Sequence, residues 1–116
     1  MDLSGCIQLR VLRIQGVDIK YIPVLDQCRY LEVVDIRVNG YIERTDNKPR
    51  YSLSPLDKED WSALTNLHTL TLLDSDMKGT IPTWIGKLTG LMRLSLSGNK
   101  LSGSIPSTIN LRTETR

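Results

Sequence analysis

Between residues 64 and 109 apolar residues return at fixed intervals, and the whole pattern is written twice. Leu64-x-x-Leu67-x-x-Leu70-x-Leu72, then Met77-x-Gly79-x-Ile81-Pro82-x-x-Ile85, recurs 24 residues later. The second copy reads Leu88-x-x-Leu91-x-x-Leu94-x-Leu96, then Leu101-x-Gly103-x-Ile105-Pro106-x-x-Ile109. The Leu-x-Leu pairs have the two-residue alternation of a strand. Leu94 and Leu96 are therefore predicted to point into a core while Arg93, Ser95 and Ser97 face out. Self-similarity at this period marks a solenoid, in which each copy buries its apolar side against its neighbours.

Two looser copies precede these. One places Cys6, Leu9, Leu12, Ile14, Val17 and Ile19 at the scaffold positions; the next places Cys28, Leu31, Val34, Ile36, Asn39 and Tyr41 there. With Gly79-Thr80-Ile81-Pro82, Gly103-Ser104-Ile105-Pro106 and Asn99, the spacing resembles the leucine-rich repeat family. The Gly-x-Ile-Pro stretch looks like the 24-residue Leu-x-Gly-x-Ile-Pro class common in plant receptor-like proteins, with related patterns in kinetoplastid surface antigens. The resemblance implies an α/β fold, a leucine-rich-repeat solenoid shaped as a partial horseshoe. A short parallel β-sheet would line the concave face, with loops, 3-10 turns or short helices on the convex face. About four repeats are expected over residues 1–110 (6–27, 28–63, 64–87 and 88–111), followed by a polar tail at 112–116.

The position after each strand has a physical task. An asparagine there can hydrogen-bond backbone groups of its own and adjacent coils that would otherwise be stranded. Asn39 and Asn99 can form this ladder, Ser75 can form part of it and Val17 cannot, so repeat one is expected to be the looser end. Gly79 and Gly103 permit backbone angles closed to other residues, and Pro82 and Pro106 fix the chain on the opposite side.

One interruption breaks the pattern. Residues 43–60 form a charged, mixed-sign insertion inside the second copy. Asn47-Lys48-Pro49 reads as a turn. Ser54-Pro55-Leu56-Asp57 reads as a helix start, with serine as cap and proline at the first helical position. A short helix from about Pro55 to Ala63 is expected, turning Leu56, Trp61 and Leu64 inward. The insertion reads either as a solvated excursion or as a recognition loop.

The outward strand residues form the candidate recognition face: Arg10, Arg13, Glu32, Asp35, Arg37, His68, Thr71, Leu73, Met92, Arg93 and Ser95. Arg10 should stand beside Glu32 and Arg13 beside Asp35, where opposite charges can pair laterally. Val11, Val33, Leu73 and Met92 are apolar on the same face, which suggests a contact patch.

Composition narrows the chemistry further. With 116 residues and 40% hydrophobic content, one modest core can be buried. A net charge of +2 gives no reason to expect nucleic acid as a partner. No apolar run is long enough to cross a bilayer and no signal-peptide core opens the chain. His68 is the sole histidine, and no Gly-x-Ser-x-Gly or phosphate-cradling loop is present, so no enzyme activity, cofactor or metal site is expected. Cys6 and Cys28 hold the same position in successive copies, a placement compatible with a disulfide or with two buried thiols. The lack of an Asn-x-Ser/Thr acceptor and of cysteine-paired caps leans toward a reduced, intracellular compartment, or toward a fragment of an extracellular protein. Leu3 falls in mid-repeat and Arg112 breaks the register, so the ends read as uncapped and open to end-to-end association. The function expected is binding of a protein or peptide, with a glycan as a further option. The alternatives are a piece of a receptor-like kinase or surface antigen, and a truncated repeat without a ligand.

Overall fold

The computed structural model describes residues 8–16, 21–39 and 52–103, together with the backbone of a strand at 114–115. Five strands form one sheet: β1 (Val11–Gln15), β2 (Val33–Arg37), β3 (Thr69–Leu73), β4 (Arg93–Ser95) and β5 (Glu114–Thr115). They lie in sequence order and every adjacent pair is parallel. The register places Leu12, Val34, Leu70 and Leu94 in one row. Ile14, Ile36 and Leu72 form the next. Each Leu-x-Leu pair thus meets its counterpart one strand away, as the two-residue period requires.

The spacing of three that leads into each strand has an equally local cause. Cys28 and Leu31 each donate a backbone N–H to the carbonyl three residues back, and so do Leu64 and Leu67, and Leu88 and Leu91. Two consecutive turns of this tight kind bring every third side chain to the same side. Leu25, Cys28 and Leu31 are therefore buried, as are Trp61, Leu64 and Leu67, and Ile85, Leu88 and Leu91. The core is one contiguous aliphatic cluster to which Trp61 and Trp84 add a tilted ring pair, centroids 5.7 Å apart. Leu9, Leu12, Ile14, Leu96 and Leu101 pack against it while keeping part of their surface exposed.

The back connections contain two short 3-10 turns, Leu56–Lys58 and Thr83–Lys87. No α-helix occurs among the described residues. The helix expected over 55–63 is replaced by the three-residue turn. Glu59 leaves it in an extended conformation (φ −101, ψ 167). The Asp60 carboxylate then accepts the Ser62 N–H at 3.0 Å, and the Trp61–Leu64 turn begins. A continuous helix would rotate Trp61 away from the row it shares with Leu25 and Ile85, so core burial overrides the local helix signal. Ser54 caps nothing; its Oγ accepts the Ile22 N–H at 2.9 Å and ties the insertion back to the preceding copy. The inward placement of Leu56, Trp61 and Leu64 holds, and all are buried.

A second correction concerns residues 112–116. Glu114–Thr115, read from sequence as part of a polar tail, pairs with β4 in the register Arg93↔Glu114 and Leu94↔Thr115. Strand pairing needs only backbone groups, which polar residues supply as well as apolar ones. Cys6, Val17, Ile19 and Tyr41, residues 43–51 of the insertion with the turn expected at Asn47-Lys48-Pro49, and residues 104–111 of the last copy lie outside the described residues.

Candidate functional site

Alternation along the strands divides the sheet into a core side and an outer side. The outer side carries four rows, the first formed by Arg10, Glu32, His68 and Met92 just ahead of the strands. Backbone bonds set this row: Glu32 N–H donates to the Arg10 carbonyl, His68 to Glu32 and Met92 to His68, at 2.7–2.9 Å. The remaining rows follow the register as Val11, Val33, Thr69 and Arg93; Arg13, Asp35, Thr71 and Ser95; and Gln15, Arg37 and Leu73. The structure therefore brings all the expected face residues onto one surface.

That surface is electrically uneven. Over β1 and β2 each cation stands beside a carboxylate. Arg10 Nη1 lies 3.2 Å from Glu32 Oε2, and Arg13 Nε lies 3.8 Å from Asp35 Oδ2. Glu32 also holds His68 Nε2 at 3.8 Å, while His68 Nδ1 is 2.8 Å from Thr69 Oγ1. Asp35 accepts a 2.6 Å hydrogen bond from Thr71 Oγ1. Arg37 reaches Asp74 Oδ2 at 3.6 Å, a partner the sequence did not reveal because Asp74 lies one residue past the register match Arg37↔Leu73. Over β3 and β4 the surface is made of hydroxyls and apolar groups, with Arg93 as its exposed cation.

A shallow groove of about 530 Å³ crosses the outer side from β1 to β4, lined by Arg13, Val33, Asp35, Thr69, Thr71, Leu73, Arg93, Leu94 and Ser95. Val33 and Leu73 are half-buried, whereas Val11 and Met92, at 45% and 40%, are well exposed at either side of the sheet. Smaller depressions flank the groove, one beside Arg37 and Gln15 and one where Tyr30 and Asn66 meet Arg10 and Glu32. Tyr30 was missed in the sequence because it falls between two buried turn positions, Cys28 and Leu31, where outward residues carry no strand pattern.

At and beyond the strand ends the backbone of neighbouring copies is tied by an asparagine ladder. Asn99 Nδ2 donates to the carbonyls of Leu72 and Leu96, and its Oδ1 accepts from Ser75 N–H (3.2 Å) and Met77 N–H (3.0 Å). Asn39 Nδ2 donates to the Asp74 carbonyl at 2.8 Å, and Ser75 Oγ to the Leu73 carbonyl at 2.8 Å. Asp74 itself adopts φ 50, and a Cβ on neighbouring Gly98 (φ +74) would come within 2.9 Å of the Asp74 backbone nitrogen. Glycine is the residue that fits there. Gly79 and Gly103 also have positive φ, at 99 and 79, as their place in the motif implied.

Cys28 is buried in the core and remote from this face. Among the described residues no group of three or more histidine, cysteine, aspartate or glutamate side chains is placed to hold a metal. No helix of the described residues is long and apolar enough to cross a membrane.

Repeated three-residue turns, short parallel strands and an asparagine ladder define the leucine-rich repeat class, and comparison with known proteins supports that family. The Leucine Rich Repeat family model matches residues 90–111. The chain is similar to Cuscuta receptor 1 of Solanum lycopersicum, 40% identical over 87 residues, which covers 75% of this chain and 7% of that relative. The chain thus spans a small fraction of the length of the curated relative it matches. No solved structure matches it.

Proposed function

We propose that this chain is a non-catalytic recognition segment of a leucine-rich-repeat solenoid of the 24-residue Leu-x-Gly-x-Ile-Pro class, binding a protein or peptide through the concave face of its sheet. The observation that carries the reading is the groove from β1 to β4, where half-buried Val33 and Leu73 lie among hydroxyls and charged side chains. Apolar side chains held on a polar, regular sheet gain by being covered, and a groove with only shallow walls suits a macromolecular segment better than a small substrate. Similarity to a protein named as a receptor supports a receptor-like role for a longer protein containing this segment.

The test is a selection of binders to the folded domain from a random peptide display library, followed by measurement on a Leu73→Glu, Arg93→Glu variant. Arg37 is left intact, because reversing its charge beside Asp74 would break an ion pair and confuse binding with stability. The selected peptides are expected to lose at least about tenfold in affinity, as central interface residues do. Undiminished binding to a variant with unchanged circular dichroism would remove the sheet face from consideration and bring the 43–60 insertion forward.

A further inference from the structure

We infer that the rim of the sheet carries a subsite for one neutral sugar unit, in the depression where Tyr30 and Asn66 meet Arg10 and Glu32. It shares no residue with the groove and is independent of the sheet-face reading. Its position follows from the repeat. Tyr30 and Asn66 hold the same place in successive copies, two residues before Glu32 and His68, in the turns that lead into the strands. Those turns bury Cys28 and Leu31 in one copy and Leu64 and Leu67 in the next, so Tyr30 and Asn66 between them face outward. Tyr30 is 54% exposed. Asn66 is anchored by its Nδ2, which donates to the Arg29 carbonyl of the preceding copy at 3.2 Å.

The lining selects the ligand. The depression is about 270 Å³, below the roughly 300–1,000 Å³ of sites for drug-sized molecules, so it suits a single ring-sized unit. Arg10 Nη1 lies 3.2 Å from Glu32 Oε2, and a charged ligand would have to compete with that pair. Hydroxyls need not. The contact uses one of the five guanidinium N–H donors and one of about four carboxylate acceptor sites. Glu32 Oε1 faces His68 Nε2 at 3.8 Å, beyond hydrogen-bond range, and can accept from a ligand. Two adjacent hydroxyls can therefore accept from Arg10 and donate to Glu32 while the pair stays closed. Asn66 keeps a second N–H and an amide oxygen for a further hydroxyl. The Tyr30 ring presents an electron-rich face, which attracts the C–H side of a sugar ring. An aliphatic side chain would cover these donors and acceptors without satisfying them. An inorganic anion would meet the Glu32 carboxylate.

The test titrates the 116-residue chain with neutral tetrasaccharides of mannose, galactose and glucose, and with the tetrasaccharide of galacturonic acid as the charged counterpart. The Tyr30 ring protons and the Asn66 side-chain amide report the rim, and the Leu73 methyls report the groove. At least one neutral sugar is expected to shift Tyr30 and Asn66 together, saturably, and to leave Leu73 unmoved. Tyr30→Ala should weaken that sugar at least about fivefold, the range of one aromatic contact, while Tyr30→Phe keeps most of the affinity. Glu32→Ala should weaken it about threefold, the range of one hydrogen bond. A glycoprotein with neutral N-linked glycans, titrated before and after their enzymatic removal, separates two sources of the sugar. Binding before and not after places it on a protein partner, and binding of the tetrasaccharide alone places it on a free oligosaccharide. If no neutral sugar moves Tyr30 or Asn66, or if Tyr30→Ala binds as well as the parent chain, the subsite falls. Tighter binding of the galacturonic acid tetrasaccharide than of every neutral one would reduce it to an anion contact at Arg10. Glycoprotein binding that survives loss of the glycans would overturn it too. None of these outcomes touches the groove, which is read separately at Leu73.

Discussion

The junction between β3 and β4 and the junction between β1 and β2 solve the same problem with different chemistry. At the first, one neutral side chain does the tying: Asn99 donates to the Leu72 and Leu96 carbonyls and accepts from the N–H groups of Ser75 and Met77. At the second, the side-chain ties across the sheet are Arg10–Glu32 and Arg13–Asp35, whose arginines are about 70% exposed. The β2–β3 junction mixes the two, with Asn39 on the Asp74 carbonyl, Thr71 on Asp35 and Arg37 near Asp74. Where the repeat motif is intact, part-buried amide bonds serve the backbone and no ion pair joins β3 to β4 across the outer face among the described residues. Where it decays, lateral attraction comes from exposed charge pairs, which are weaker and screened by salt. The groove spans both halves, with Arg13, Val33 and Asp35 on the irregular side and Thr69, Thr71, Leu73, Arg93 and Ser95 on the regular one.

The sharpest way to break this contrast is Asn99→Ala. It leaves two backbone donors and two carbonyls without their side-chain partner, so a loss of about 2–3 kcal/mol is expected. Asn99→Ser should lose less, because a hydroxyl at this position can still reach one nearby carbonyl, as Ser75 does with Leu73. Urea unfolding of the two variants reads the order directly. If Asn99→Ala costs no more than an exposed substitution, the amide ladder is not what holds the regular junction.

How far the sequence foretold these junctions depends on whether the relevant signal is periodic. Val34, Ile36, Leu70, Leu72 and Leu94 were legible as core because strand alternation and the 24-residue repeat fix their direction together. The pairs Arg10–Glu32 and Arg13–Asp35 were legible for the same reason, being one strand apart in one row. Non-periodic contacts were not. Asp74 meets Arg37 diagonally from a residue at φ 50, and Ser54 spends its hydroxyl on Ile22 rather than on a helix cap. The Ser54-Pro55-Leu56-Asp57 signal was real but local. Its helix ends after three residues because Trp61 must enter the core row set by Leu25 and Ile85. β5 was missed because Glu114–Thr115 stands 21 residues after β4 begins, out of step with the period, and carries no apolar residue.

A smaller effect sharpens the other side of the comparison. A double-mutant cycle with Arg13→Gln and Asp35→Asn should give a coupling of about 0–1 kcal/mol at low salt, falling toward zero in about 1 M salt. The two single changes should be unequal. Asp35→Asn also weakens the 2.6 Å hydrogen bond from Thr71, so it should cost more than Arg13→Gln and keep that excess at high salt. A coupling that survives high salt would show that the charged half is held as firmly as the amide half, and the contrast would collapse.

The smallest effect asks whether charge compensation in the irregular half extends beyond the sheet face. At the back, partial burial and then the nearby charge of Asp26 push the Glu59 carboxyl above its usual range. Its neighbour Asp60 moves the opposite way, held down chiefly by hydrogen bonds from Ser62. A raised carboxyl binds its proton more tightly in the folded chain than in the unfolded one. Its ionisation therefore opposes folding above the folded-state value, and the penalty is relieved as pH falls through that value. Asp60 contributes stability above its unfolded value that is lost as pH falls. Glu59→Gln removes only the first effect. It should therefore stabilise the fold at pH 7, by less than about 0.5 kcal/mol because much of the group is in solvent. The gain should vanish near pH 3–4, where an unperturbed glutamate is largely protonated (about 4.3). Asp26→Asn should give part of the same gain, since it removes the like charge but not the burial. Denaturant unfolding of the variants at both pH values decides the matter. A Glu59→Gln chain that is less stable at pH 7 would mean that Glu59 is compensated after all, and that charge pairing in the irregular half reaches past the strands to the insertion.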